Sequence, residues 1–183
     1  MRLILLTVSL AIASVTMLTA QDIIGLGTRY SDSFREWDVQ AAQEDRNGSL
    51  ELRWILSDDW SQWEFRLGDT TAQIRQKWSD DANLWEIKCL GTTVTARTIW
   101  NNDFRQWRLS DGTHRIRWQS RYSNIRDEWI IREETGFGSF NVRAYWEGDP
   151  RDWVVEDTFD AEVSYAMRIA LIFIAVFNSV PKV

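Results

Sequence analysis

Cysteine and histidine occur once each in 183 residues, at Cys89 and His114. A lone cysteine excludes an intrachain disulfide, and the two residues together are too few for a metal site of the Cys/His type. A lone histidine leaves Ser-His-Asp chemistry a single base, and no Gly-x-Ser-x-Gly sequence offers a nucleophile for such a triad. Proline is scarce at two and glycine at nine, which argues against a disordered or low-complexity chain. Excess positive charge is also missing: 21 basic residues face 27 acidic ones. That balance opposes general binding to nucleic acid or to anionic membranes. Carboxylates abound, but no spacing singles out a glycosidase pair, so the chain reads as non-enzymatic.

Charge is wholly absent between Arg2 and Asp22. Leu3 to Leu18 form an apolar stretch diluted by Ser and Thr, and Leu18-Thr19-Ala20 suits signal peptidase cleavage. The expectation is a secretory signal peptide over residues 1–20 and a mature domain over 21–183, secreted or otherwise extracytoplasmic. An uncleaved N-terminal membrane anchor is the alternative. The mature chain then carries 20 basic and 27 acidic residues, a net charge of −7. Asn47-Gly48-Ser49 matches a glycosylation acceptor in a turn.

What the chain does have is tryptophan, twelve in all, and a repeat. Trp63, Trp85, Trp107 and Trp129 are spaced by 22 residues. Seven positions before each repeat Trp stands a large apolar residue, giving the pairs Tyr30–Trp37, Leu56–Trp63, Trp78–Trp85, Trp100–Trp107, Tyr122–Trp129 and Trp146–Trp153. A polar turn separates the two members. Period-two columns flank them: Ile24, Leu50, Ala72, Val94, Ile116 and Phe140 precede the turn, and Val39, Phe65, Ile87, Leu109, Ile131 and Val155 follow it. Such alternation predicts strands with one wet face, and the period marks one hairpin per repeat. Cross-strand aromatic pairs stabilise sheets, and both pair members are expected on the apolar lining. An outer column of Arg53, Arg75, Arg97 and Arg143 faces Asp38, Glu64 and Glu86 as a solvated ion-pair surface.

Six hairpins make about twelve antiparallel strands, and closing them hides both edges. A barrel of that size is too wide for its own side chains to fill. Nothing polar occurs from Ile169 to Phe177, and a helix over about 163–178, apolar all round, is the element that could fill it. The expected fold is therefore mainly β: a closed barrel of about twelve strands around a hydrophobic C-terminal helix. Cys89 shares a strand face with Trp85 and should be buried.

This arrangement resembles the tubby-like superfamily, which includes tubby domains, phospholipid scramblases and the LURP-one-related proteins. The residues that carry the resemblance are the turns at Ser57–Asp59, Ser79–Asp81 and Asn101–Asp103, then Trp146 to Val155, and the helix from Tyr165 to Phe177. Local sequence is most similar to the LURP-one-related group. The resemblance implies a barrel around a central helix and a lipid- or membrane-related role, with a membrane lipid or envelope component as partner. No tight basic cluster matches the phosphoinositide pocket of tubby domains, and no acidic segment matches the calcium stretch of scramblases.

Two candidate sites follow from the turns themselves. In an up-and-down barrel the turns share one rim, so Asp58, Asp59, Asp80, Asp81 and Asp103 form a ring of carboxylates that could supply calcium with oxygen ligands. Plain turn chemistry is the competing account, because Asp bonds its own backbone in turns. Trp60, inside a turn, is the candidate aromatic for stacking on a sugar. These residues give a second functional class, a secreted carbohydrate- or small-ligand-binding protein, beside an envelope-associated binding module.

Overall fold

The structure is a computed structural model that describes residues 23–43 and 46–182. The expected signal peptide and its cleavage site lie outside them. Among the described residues are twelve strands and one helix. The strands are β1 (Ile23–Thr28), β2 (Glu36–Ala41), β3 (Gly48–Leu52), β4 (Gln62–Leu67), β5 (Thr70–Gln76) and β6 (Leu84–Cys89). They continue as β7 (Thr92–Thr98), β8 (Gln106–Ser110), β9 (Arg115–Ser120), β10 (Glu128–Ile131), β11 (Phe140–Trp146) and β12 (Asp149–Asp157), followed by α1 (Tyr165–Ser179). Each strand pairs antiparallel with its sequence neighbours, and β12 closes the ring on β1 through Gly25↔Val154, Leu26↔Trp153 and Gly27↔Asp152. Closure leaves no unpaired edge.

The alternation sorts inside from outside. Leu50, Ala72, Val94, Ile116 and Phe140 point into the lumen, as do Val39, Phe65, Ile87, Leu109 and Val155. Ile24 breaks its column and is 46 % exposed. The pairing of β1 with β2 shifts register between Ile23 and Gly25, so Ile23 takes the buried position and Ile24 turns outward. A second shift, between Ala144 and Trp146 in β11, leaves Tyr145 and Trp146 outside. No other described strand pair carries such a bulge.

The repeat Trp residues all point inward, and each has the same second bond. The indole N–H of Trp37 donates to the Phe34 carbonyl at 3.0 Å, Trp63 to Trp60 at 3.0 Å, Trp85 to Ala82 at 3.1 Å and Trp107 to Phe104 at 3.0 Å. Trp129 donates to Arg126 at 3.1 Å and Trp153 to Pro150 at 2.8 Å. A polar loop carbonyl lying against the core is thereby satisfied from within. Phenylalanine would supply the ring without the donor, which is why these positions hold tryptophan. Room for the indole comes from its strand partner, which is Thr28, Thr98, Ser120 or Ala144 in four of the hairpins.

Helix α1 fills the axis. Ser164 caps it, its Oγ accepting from the Met167 N–H at 3.3 Å. Pro181 ends it, because the residue before a proline avoids helical ψ, and Val180 is extended at φ −104 and ψ 149. Its 15 residues span about 22 Å at 1.5 Å per residue. Everything from Ala166 to Val176 is buried. Phe173 meets the edge of Trp85 at 4.9 Å and of Trp63 at 5.9 Å, and stacks on Phe177 at 5.2 Å. No helix among the described residues is long and apolar enough to cross a membrane.

One charge enters the lumen, at the helix N-terminus. Arg168 is 5 % exposed and its Nε donates to Asp157 Oδ2 at 2.6 Å. The rest of the guanidinium donates to the carbonyls of Val163, Phe159 and Asp160. A buried charge is tolerated only when paired and hydrogen-bonded on all sides, and here the pairing staples the 158–164 crossing to the mouth of the barrel.

Two predictions test this packing. Phe173→Ala should lower unfolding stability by about 3–5 kcal/mol, and Trp85→Phe, which orphans the Ala82 carbonyl, by about 1–3 kcal/mol; both are read as shifts in the urea midpoint. Cys89 is buried and its thiol pKa is pushed up to about 11 by that burial. A thiol reagent should therefore label it slowly in the native protein and rapidly in denaturant.

Candidate functional site

Up-and-down topology gathers alternate connections at each end. The β1–β2, β3–β4, β5–β6, β7–β8, β9–β10 and β11–β12 loops share the end at which α1 finishes. Large side chains stand exposed at the start of each. They are Tyr30, Trp54, Trp78, Trp100, Tyr122 and Trp146, with Leu56 at the tip of the β3–β4 loop. Trp78, Trp100 and Trp146 are 63 %, 66 % and 62 % exposed. This corrects the expectation that the residue before each turn lines the barrel. The lumen partner of Trp85 is Gln76, not Trp78, so the earlier aromatic lies past the last strand pair, in the turn itself. Trp54 rather than Leu56 opens the second-repeat turn, its carbonyl accepting from the Ser57 N–H at 2.9 Å.

The turns are built alike. In four of them an Asp accepts the N–H two residues on: Asp59 from Ser61 at 2.9 Å, Asp81 from Asn83 at 2.9 Å, Asp103 from Arg105 at 3.2 Å and Asp149 from Arg151 at 3.1 Å. The repeat Trp follows four residues after that Asp in every case. Asp58 is engaged by Arg35 at 3.2 Å, and Asp80 accepts from the Ser79 hydroxyl at 2.5 Å. The five carboxylates singled out for calcium are thus spread around the rim, one or two per loop. Among the described residues no three His, Cys, Asp or Glu side chains converge on a point where a metal would sit. Trp60 is half-buried rather than free. Its ring packs on Trp63 at 5.8 Å, between the Arg35 guanidinium at 5.4 Å and the Lys182 ammonium at 5.6 Å.

Neighbouring loops are laced together. Arg35 of the β1–β2 loop donates to the carbonyls of Ile55 at 2.6 Å and Ser57 at 3.2 Å in the next. The Gln76 N–H reaches back to the Ser61 carbonyl at 2.8 Å. Asn83 Oδ1 accepts from the Asn102 N–H at 2.7 Å and the Thr98 hydroxyl at 3.0 Å. Arg105 donates to the Ser123 carbonyl at 3.3 Å, and the Gly148 N–H to Asp127 at 3.4 Å. The aromatic crown therefore stands on a stiff platform. Among the described residues no side-chain bond of this kind joins the β3–β4 to the β5–β6 loop, where the Gln76 bond only extends the strand ladder, or the β11–β12 to the β1–β2 loop.

His114, the lone histidine, sits at the opposite end and beside a serine and an aspartate. Ser164 Oγ donates to Asp111 Oδ2 at 2.8 Å, and His114 Nδ1 lies 3.5 Å from the same oxygen. The trio is not arranged for nucleophilic attack, because the serine proton points at the carboxylate and not at the imidazole. It anchors the helix cap to the β8–β9 turn. Burial pushes the Asp111 carboxyl up, but bonds from the His114 N–H, Ser164 and the Thr113 N–H outweigh it and hold the group below the usual range. Asn47 is exposed ahead of β3, also at this end.

Sequence reasoning found the rim but placed the aromatic that opens each turn inside the barrel, where the structure has it exposed. The usable signal was length. Seven positions separate the two aromatics of a repeat, too few for a cross-strand pair when the turn itself takes several, and the partner of Trp85 is Gln76, nine positions back.

Hydrogen bonds hold the Asp59 and Asp103 carboxyls below the ordinary carboxylate range, from Ser61 in the first case and Arg105 in the second. A carboxyl depressed in the folded state stabilises above its unfolded pKa and loses that contribution as pH falls through the folded one. Thermal stability should therefore hold near pH 6 and decline below about pH 4, and Asp103→Asn should flatten part of that decline in melts taken from about pH 4 downward.

Comparison of the chain with protein-family models, with curated proteins and with solved structures finds no match.

Proposed function

We propose that this chain is an exported, non-enzymatic binding module that docks by its aromatic crown onto a neutral, hydroxyl-rich surface, a polysaccharide of the cell envelope or its surroundings. The observation that supports the reading is the gathering of six large exposed rings at one end of a rigid barrel. Exposed apolar side chains scattered singly need no explanation, but one large ring per hairpin, all at the same end of the barrel, does.

Charge selects the partner. Each ring is followed within the same turn by carboxylates or carboxamides, as in Trp78-Ser-Asp-Asp and Trp100-Asn-Asn-Asp. Sinking such a rim into a bilayer would drag those carboxylates out of water at high cost, and an anionic surface would repel them. A saccharide instead presents apolar C–H faces to the rings and hydroxyls to the acceptors. The tubby-like resemblance enters through architecture alone, twelve strands around a C-terminal helix, and the lipid role it implies is not favoured by this rim.

The test is retention of the exported protein on insoluble polysaccharides against flotation with phosphatidylcholine vesicles. Retention on polysaccharide, cut about tenfold or more in a Trp78→Ala/Trp100→Ala variant of unchanged melting temperature, is the expected result for a surface that depends on aromatic anchors. Flotation with vesicles and no retention on any polysaccharide would overturn the reading.

A further inference from the structure

A groove lies on the outer wall near the junction of the β11–β12 and β1–β2 loops. Where β11, β12 and β1 run side by side, a cleft of about 340 Å³ opens on the outer face, lined by Ile24, Gln40, Tyr145, Trp146, Asp152 and Val154. Its volume is at the small end of the ~300–1,000 Å³ of ligand sites.

Three independent features built this cleft. The first is the pair of bulges. Both described register shifts border it, one turning Ile24 outward on β1 and the other exposing Tyr145 and Trp146 on β11. Bulges re-aim side chains beside functional sites, and everywhere else the strand register runs unbroken. The second is a pair of glycines. β1 carries Gly25 and Gly27 where the other strands carry side chains on the outer face. A Cβ at Gly27 would come within 2.9 Å of Asp152 Oδ1, and one at Gly25 within 3.3 Å of Gln40 Oε1 and 2.6 Å of the Trp153 carbonyl. The glycines thus let Gln40 Oε1 and Asp152 Oδ1 lie close over the β1 backbone, and both of those side chains line the cleft. The third is that those ends are unspent. The rim carboxylates Asp59, Asp81, Asp103 and Asp149 all bond their own turns, whereas among the described residues neither the Asp152 carboxylate nor the Gln40 carboxamide makes a side-chain hydrogen bond.

We infer that this groove is a saccharide-binding site, in which a sugar ring lies against Trp146 while Asp152 and Gln40 bond its hydroxyls. The inference rests on the reading of the crown as a polysaccharide-binding face and locates the specific contact on the outer wall below Trp146. Asp152 accepts two hydroxyl protons, and Gln40 both donates and accepts, which suits neighbouring hydroxyls that do the same. An anionic ligand would meet the unpaired Asp152 charge. A quaternary ammonium would need several ring faces around it, but Tyr145 and Trp146 stand edge to face, 4.9 Å apart at 82°, and enclose nothing. The groove also continues. Tyr145 is shared with a second cleft of about 530 Å³ that reaches Tyr122, Asp127 and Glu147, so a chain of sugar units leaving the first site passes over an aromatic ring into another polar cleft.

The experiment is a titration of the exported protein with soluble neutral oligosaccharides drawn from an array, followed by calorimetry on those that bind. Trp146→Ala should weaken the best binder about tenfold or more, as removal of an aromatic anchor does, and Asp152→Asn should weaken it several-fold. Gly27→Val meets only the flexible end of Asp152 and pushes that carboxylate out of place, so it should weaken binding about as much as Asp152→Asn with little change in melting temperature. The Trp78→Ala/Trp100→Ala variant should lose polymer retention yet keep the soluble oligosaccharide. Were the groove variants to bind oligosaccharide normally while the crown variant lost it, the groove assignment would fall and the crown reading would stand. No binding to any neutral oligosaccharide, or displacement by tetramethylammonium at equal strength, would also overturn the assignment.

Discussion

A ring of twelve strands encloses more space than strand side chains can fill, and most of what is unusual in this protein answers that one shortage of volume. The repeat answers with indoles, the largest side chains available, one from each hairpin. The chain answers again with an apolar helix along the axis, whose Phe173 and Phe177 slot between Trp63 and Trp85. The two answers depend on each other. The indoles need a surface to pack on, and the helix, apolar on every side, needs walls on every side. Small partners such as Thr28, Ser120 and Ala144 keep the layers from colliding, since a core at native density tolerates neither voids nor overpacking.

A second constraint is laid on the same residue. Each repeat Trp also donates to a loop carbonyl three positions back, so the side chain that fills the lumen fixes the loop above it. Core and rim are thereby coupled repeat by repeat, and the Asx bond four residues earlier sets the turn before the Trp begins. Surface ion pairs such as Arg75 with Glu86 at 3.0 Å decorate the outer wall and contribute little to stability. The rigidity of the crown comes from the buried donors and the loop-to-loop bonds.

The barrel and its filler were legible in the sequence, because period two and a long apolar run are local signals that burial imposes directly. Leu109 and Ile87 could be placed inside from their neighbours alone. The site was much less legible. Trp78 and Trp85 are the same residue type in the same repeat, and only the strand partner, Gln76 for Trp85, shows that one is lining and the other is outside. Ile24 sits in an apolar column and still faces water, because a bulge is a property of pairing between strands and leaves no mark on one of them. Trp60 looks like a free loop aromatic until Arg35, Trp63 and Lys182 close around it. The groove brings Gln40 to Tyr145 and Asp152, more than a hundred positions later in the chain, and they meet only because β12 closes on β1.

The position of the helix in chain order has a kinetic side. All twelve strands precede it, and β1 finds β12 across the full length of the sheet. While the chain is being made, the hairpins emerge without the element that fills their common interior, and contacts so distant in sequence form slowly. Nascent hairpins of this kind can pair locally but cannot close. The barrel therefore closes late in folding, once α1 is available to fill it.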